Sequence, residues 1–126
     1  MHVGMRIPPM GRKMGVEGII QWAAENGLGS IDLSEINRKI RKLCDDAGLG
    51  IGTVDWGAGG GLLSKDGRAR RSAVAAMKRR IRDTGKYGSG VIFLCLTPDD
   101  RLQSRADTFE IFKNIYPGIV KEAEKA

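Results

Sequence analysis

Histidine, cysteine and long apolar runs are what this sequence has least of, and each scarcity removes a class of function. The single histidine, His2, excludes most sites built from several histidines. Cys44 and Cys95 are too far apart for metal-ligand spacing and too few for a disulfide framework, so a reducing cytoplasm is the expected location. No apolar stretch approaches the ~20 residues of a bilayer span. The opening Met1-His2-Val3-Gly4-Met5-Arg6 lacks the apolar segment of a secretory signal.

What is present fits one soluble globular domain over residues 1–126, at 41% hydrophobic and 29% charged residues, with no linker and no low-complexity tract. Four strand-helix units follow one another. Met5 to Met10 reads as a short or edge strand, because Pro8 and Pro9 interrupt any ladder. Val16, Ile19, Ile20, Ala23 and Ala24 then share a helical face that closes at Asn26-Gly27.

Ser30-Ile31-Asp32-Leu33 alternates as a strand, after which Ser34 is the expected cap of a helix with Ile36, Ile40, Leu43, Cys44 and Ala47 on one face. Ile51 to Trp56 is the third strand, and the third helix spans Arg68 to Thr84 with Val74, Met77 and Ile81 inward. Val91 to Leu96 is a continuous apolar run, which predicts a strand buried on both faces. The last helix carries Phe109, Phe112, Ile115, Tyr116, Ile119, Val120 and Ala123, and Pro117 is expected to kink or divide it.

Strands alternating with helices of this length need crossover connections, hence an α/β fold with parallel strands and outer helices. A closed (β/α)8 barrel takes about 250 residues. The expectation is therefore (βα)4, half of a TIM barrel, ending at Ala126 where a fifth strand is due. Two open sheet edges and an unfilled inner face then predict self-association or pairing with a second half.

In such sheets chemistry sits beyond the carboxyl ends of the strands. That points to Gly11-Arg12, Asp32 to Ser34, Asp55-Trp56-Gly57 and Thr97 to Arg101. Trp56 would stack on a sugar ring while Asp55 accepts hydroxyl hydrogen bonds; equally, Trp56 packs under the glycine loop and Asp55 caps the turn.

Ile19-Ile20-Gln21-Trp22-Ala23-Ala24-Glu25-Asn26-Gly27-Leu28 followed by Ile31-Asp32-Leu33 resembles the first crossover of xylose isomerase-like barrels, the sugar phosphate isomerase/epimerase group. The stretch from Arg38 to Leu49 is similar to that family's second helix and turn, and Arg71 to Arg79 and Lys121 to Ala126 to its third and fourth helices. The resemblance implies a complete enzyme that isomerises or epimerises a sugar or sugar phosphate, using a divalent metal such as magnesium, manganese, cobalt or zinc. It places the metal ligands and the acid/base glutamates on the later strands. No catalytic or metal-binding residue carries over to this chain, which by itself is expected to be inactive; Asp55, Trp56 and Thr97 match substrate-contacting positions.

Other features have readings of their own. Gly57-Ala58-Gly59-Gly60-Gly61 before Ser64-Lys65 suits either phosphate or a flexible barrel-mouth loop, without the spacing of a nucleotide P-loop. Lys65 to Lys86 holds nine Lys/Arg against two Asp/Glu, a solvated outer helix face or, as in the apurinic endonucleases of the wider superfamily, a nucleic-acid contact. A non-catalytic, self-associating half-barrel is the remaining alternative. Cys44 and Cys95 read as small core residues, His2 as a residue of a mobile terminus, and Asp99-Asp100 as either a metal aid or a loop start.

Overall fold

The computed structural model describes residues 3–57, 61–98 and 100–126, and the side chains of all of these but Met10 and Arg12. His2, Asp99 and the centre of the glycine loop lie outside the described residues. The fold is α/β, with four parallel strands and four α-helices among the described residues. It forms two compact units, one through Asp55 together with Asp83–Phe93, the other Trp56–Arg82 with Leu94–Ala126. Among the described residues no helix is long and apolar enough to cross a membrane.

The first unit holds the whole sheet, β1 (Gly4–Arg6), β2 (Ser30–Leu33), β3 (Gly50–Asp55) and β4 (Ile92–Phe93), in spatial order β1-β2-β3-β4. Met5 pairs with Ile31, Leu33 with Val54 and Asp55 with Phe93, every pairing parallel. The period-two alternation of β2 sets its faces. Ile31 and Leu33 are fully buried with Val54, against Ile19, Ile20 and Ala23 of α1 (Gly15–Glu25) and Ile40 and Cys44 of α2 (Arg38–Asp46). Burial pushes the Cys44 thiol up, with Asp45 adding to it, so the group stays protonated in this core.

Both helices of this unit end in the same way. The Gly27 N–H donates to the Ala24 carbonyl and the Leu28 N–H to that of Ala23; Gly48 and Leu49 repeat the pattern on Asp45 and Cys44. This is the Schellman motif, which needs a left-handed residue after the cap, and Gly27 and Gly48 supply it at φ 72° and 69°. Leu28 and Leu49 then turn back into the core cluster.

Three expectations are corrected here. The first strand stops at Arg6, and Pro9 opens a 3-10 helix running to Met14, because two consecutive residues without N–H end the ladder. The second helix is capped by Asn37 rather than Ser34: Asn37 is extended and its Oδ1 accepts the Ile40 N–H at 3.0 Å. Ile36, placed on that helix, lies before it and is still buried. The fourth strand has two paired residues instead of six and is not buried on both faces, with Val91, Phe93 and Cys95 exposed. Among the described residues it has β3 on one side and no strand on the other, so its apolar run finds a partner along only part of its length.

In the second unit α3 (Gly67–Tyr87, of which 67–82 belong here) and α4 (Arg105–Ala123) are joined by the ion pair of Arg82 with Glu122 at 2.6 Å. Its buried apolar residues are Leu62, Leu63, Met77, Ile81 and Ile119. α4 runs through Pro117 as one helix, so of the two effects expected of that proline, a kink or a division, the division does not occur. Its aromatic stripe is not a core face: Phe109 is 58% exposed and Tyr116 is also exposed. Ser104 caps α4 by accepting the Asp107 N–H at 3.1 Å.

Asp107 in the first turn of α4 pairs with Lys65 at 2.9 Å. The hydrogen bond from Lys65, then that from Ser104, holds the Asp107 carboxyl below its ordinary value of 3.8. The native state therefore binds fewer protons at this site than the unfolded chain, so the pair's stabilisation is complete above that value and is lost as the pH falls through the lowered one. Urea midpoints of the wild type and Asp107→Asn, measured from pH 7 downward, are expected to differ at neutral pH and to converge below pH 3.8. A difference unchanged in acid would mean the carboxylate's charge is not what stabilises α4.

Candidate functional site

The carboxyl ends of β1, β2 and β3 form a cleft of about 220 Å³. Its apolar wall includes Val16 and Ile19 of α1; its polar side chains are Arg6, Asp32, Ser34, Glu35 and Asp55. The register explains the convergence, since Arg6 is paired with Asp32 and Asp55 lies one residue beyond Val54, the partner of Leu33.

Asp32 is held by an irregularity in the sheet. Between Ile31 and Leu33 the register against β3 slips by one residue, which frees the Thr53 N–H from the ladder. Asp32 Oδ1 accepts it at 2.7 Å. Gly52 makes room for this arrangement, because a Cβ there would collide with Asp32 Oδ1.

Asp55 accepts a hydrogen bond from Arg6 Nη2, an ion pair that reaches from β1 to β3. The same guanidinium lies over the Phe93 ring, 5.1 Å from its centroid. The Arg6 side chain is 62% exposed and that of Asp55 16%, so the cation forms the outer rim and the carboxylate the inner wall. The cleft thus combines carboxylates, which accept hydrogen bonds from hydroxyls, with a forked cation that donates to a carbonyl or hydroxyl oxygen. A polyhydroxylated ligand matches that set.

The sequence-derived candidates separate. Asp55 is in the cleft, whereas Trp56 and Thr97 belong to the second unit. Arg80 stacks on Trp56 with its guanidinium carbon 4.5 Å from the ring centroid, and Thr97 is exposed. Arg80 and Arg82 thus each have a partner within the protein, while the Arg82 side chain stays 54% exposed.

Arg6 and Glu35 are the charged cleft residues that the sequence does not single out. Extending the first strand to Met10 moved its end to Gly11-Arg12; the pair Pro8-Pro9 was the signal that places the strand end at Arg6. Glu35 is hidden by Ser34, whose capping chemistry places Glu35 on the helix rather than in the loop at the cleft, where it lies.

Asp32 spends one carboxylate oxygen on Thr53 N–H and Asp55 is bound by a guanidinium. Among the described residues no group of three or more His, Cys, Asp or Glu side chains is placed to hold a metal ion. No protein-family model matches the chain, and a search among curated proteins finds no match either.

Proposed function

We propose that this chain forms the first four strand-helix units of a xylose isomerase-like barrel, in which its strand-end cleft binds the hydroxyl and carbonyl oxygens of a sugar or sugar phosphate. The observation that carries this reading is the unreversed strand order β1-β2-β3-β4 with Arg6, Asp32 and Asp55 brought to one end of it. Doubly wound sheets bind at a point where strand order reverses; consecutive order is the arrangement of a barrel. Isomerisation or epimerisation by proton abstraction beside a carbonyl would be the reaction of the complete barrel. This chain's part is to orient the open-chain substrate: Asp55 and Asp32 accept from its hydroxyls, and Arg6 donates to an oxygen next to them.

Self-association belongs to the same reading. Among the described residues β1 and β4 each have a strand on one side only, and Phe93 on β4 is 42% exposed. An unpaired edge is a template for another chain.

The purified chain, incubated with a panel of ketoses and ketose phosphates and with manganese, is expected to show sugar binding by saturation-transfer NMR and no turnover. Asp55→Asn should weaken that binding by about tenfold, the worth of one hydrogen bond to a charged group at the low end of its range. Absence of contact with any sugar of the panel, or chelator-sensitive turnover by this chain alone, would contradict the assignment.

A further inference from the structure

A second cavity lies wholly within the second unit and is independent of the barrel reading. It measures about 500 Å³, within the range of small-molecule sites. Leu63, Leu96, Pro98, Phe109 and Phe112 make its apolar wall, and Gln103 and Arg105 bring the polar groups.

Gln103 is the unusual member. It is 8% exposed, and its Nε2 donates to the Leu63 carbonyl and to Thr108 Oγ1, each at 3.0 Å. Both contacts fix the amide orientation: a carbonyl accepts only, and the Thr108 hydroxyl spends its own hydrogen on the Ser104 carbonyl at 2.8 Å. The amide cannot be turned round without opposing oxygens. Gln103 Oε1 is consequently left buried with no hydrogen-bond partner. A buried acceptor without a donor carries its full desolvation penalty, and a donor brought by a ligand removes it.

Two further features narrow the ligand. Phe109, Phe112 and Tyr116 form a stacked column on α4, with centroids 6.2 Å and 4.5 Å apart, and its Phe109 end is open. Such a column favours another aromatic ring. Arg105, in the first turn of the same helix, has no ion pair among the described residues and is exposed at the cavity. A guanidinium there matches a carboxylate.

We propose that this cavity binds a small aromatic carboxylate that also carries an O–H or N–H donor. The ring lies against Phe109 and Phe112, the carboxylate meets Arg105, and the donor reaches Gln103 Oε1 after a small movement of the side chains that cover it.

The test uses the full chain and three probes: 4-hydroxyphenylacetate, phenylacetate, which lacks the phenolic donor, and 4-hydroxyphenethyl alcohol, which lacks the carboxylate. Amide chemical shifts are followed in NMR titrations. Saturable shifts are expected at 94–97 and 103–112 with 4-hydroxyphenylacetate, and each of the other probes should bind at least about fivefold more weakly. Arg105→Gln should abolish the preference for the acid over the alcohol and keep the preference for the phenol; Gln103→Met should do the reverse. If Gln103→Met does not fold, the probe series and Arg105→Gln still decide. Equal affinity for all three probes, shifts outside this region, or no saturation by ~10 mM would overturn the proposal.

Discussion

Ile31→Ala is expected to destabilise the first unit more than any other single truncation. Ile31 is on the second strand of the sheet, has strands on both sides, is fully buried and belongs to the cluster that α1 and α2 cover. Removing its outer carbons leaves a cavity that the flanking strands and helices cannot close without breaking their own pairing. Such truncations cost about 2–5 kcal/mol. That is a large share of the roughly 5–15 kcal/mol of a whole domain. With a urea m-value of ~1–3 kcal/mol/M, the midpoint should fall by about 1 M or more. Ser30→Ala, one residue away and half-buried, serves as the control and should move it little. Similar midpoints for the two variants would show that the helix-covered face of β2 is not the core.

The second large effect is expected from Gly52→Ala, a change of one methyl group. The new Cβ collides with Asp32 Oδ1, so the carboxylate must leave the Thr53 N–H, and a half-buried donor loses its partner. The expected loss is about 1–3 kcal/mol. Because the collision is with a side chain, the cost should shrink when Asp32 is also replaced by alanine. A double-mutant cycle in urea reads that coupling directly. Simple additivity would mean that Gly52 serves the backbone of β3 alone, and that Asp32 is not held by it.

What the sequence disclosed and what it hid divide along one physical line. Asn26-Gly27 and Gly48 announced their helix ends because a Schellman cap is local, needing only a left-handed residue and carbonyls within the last turn. The alternation in Ser30 to Leu33 announced both faces of β2, because a strand with neighbours on both sides and helices on one face buries every second residue. Val91 to Leu96 misled for the complementary reason. Apolarity reports a tendency to be covered, while coverage depends on neighbours, and at the sheet edge only Ile92 and Phe93 are paired.

Ser34 and Asn37 are both good caps, and three residues apart they leave the helix start open until tertiary packing chooses. The site was legible in part. Asp55 stood out as a carboxylate at a strand end, but the Arg6 that binds it is 49 residues away and owes its place to the register of two parallel pairings. The stacking of Arg80 on Trp56 is likewise set by tertiary structure, and the unpartnered oxygen of Gln103 exists only because three separate groups fix the amide.

The central claim, that the strand-end cleft is a sugar site, is tested most directly by where a sugar binds. Amide chemical shifts of the uniformly labelled chain, followed while fructose is added to tens of millimolar, locate the contact residue by residue. The account predicts saturable shifts at Arg6, at Asp32 to Glu35 and at Asp55, all reduced together by Arg6→Gln. Saturable shifts confined to the second unit, or none at the strand ends while the chain remains folded, would contradict it.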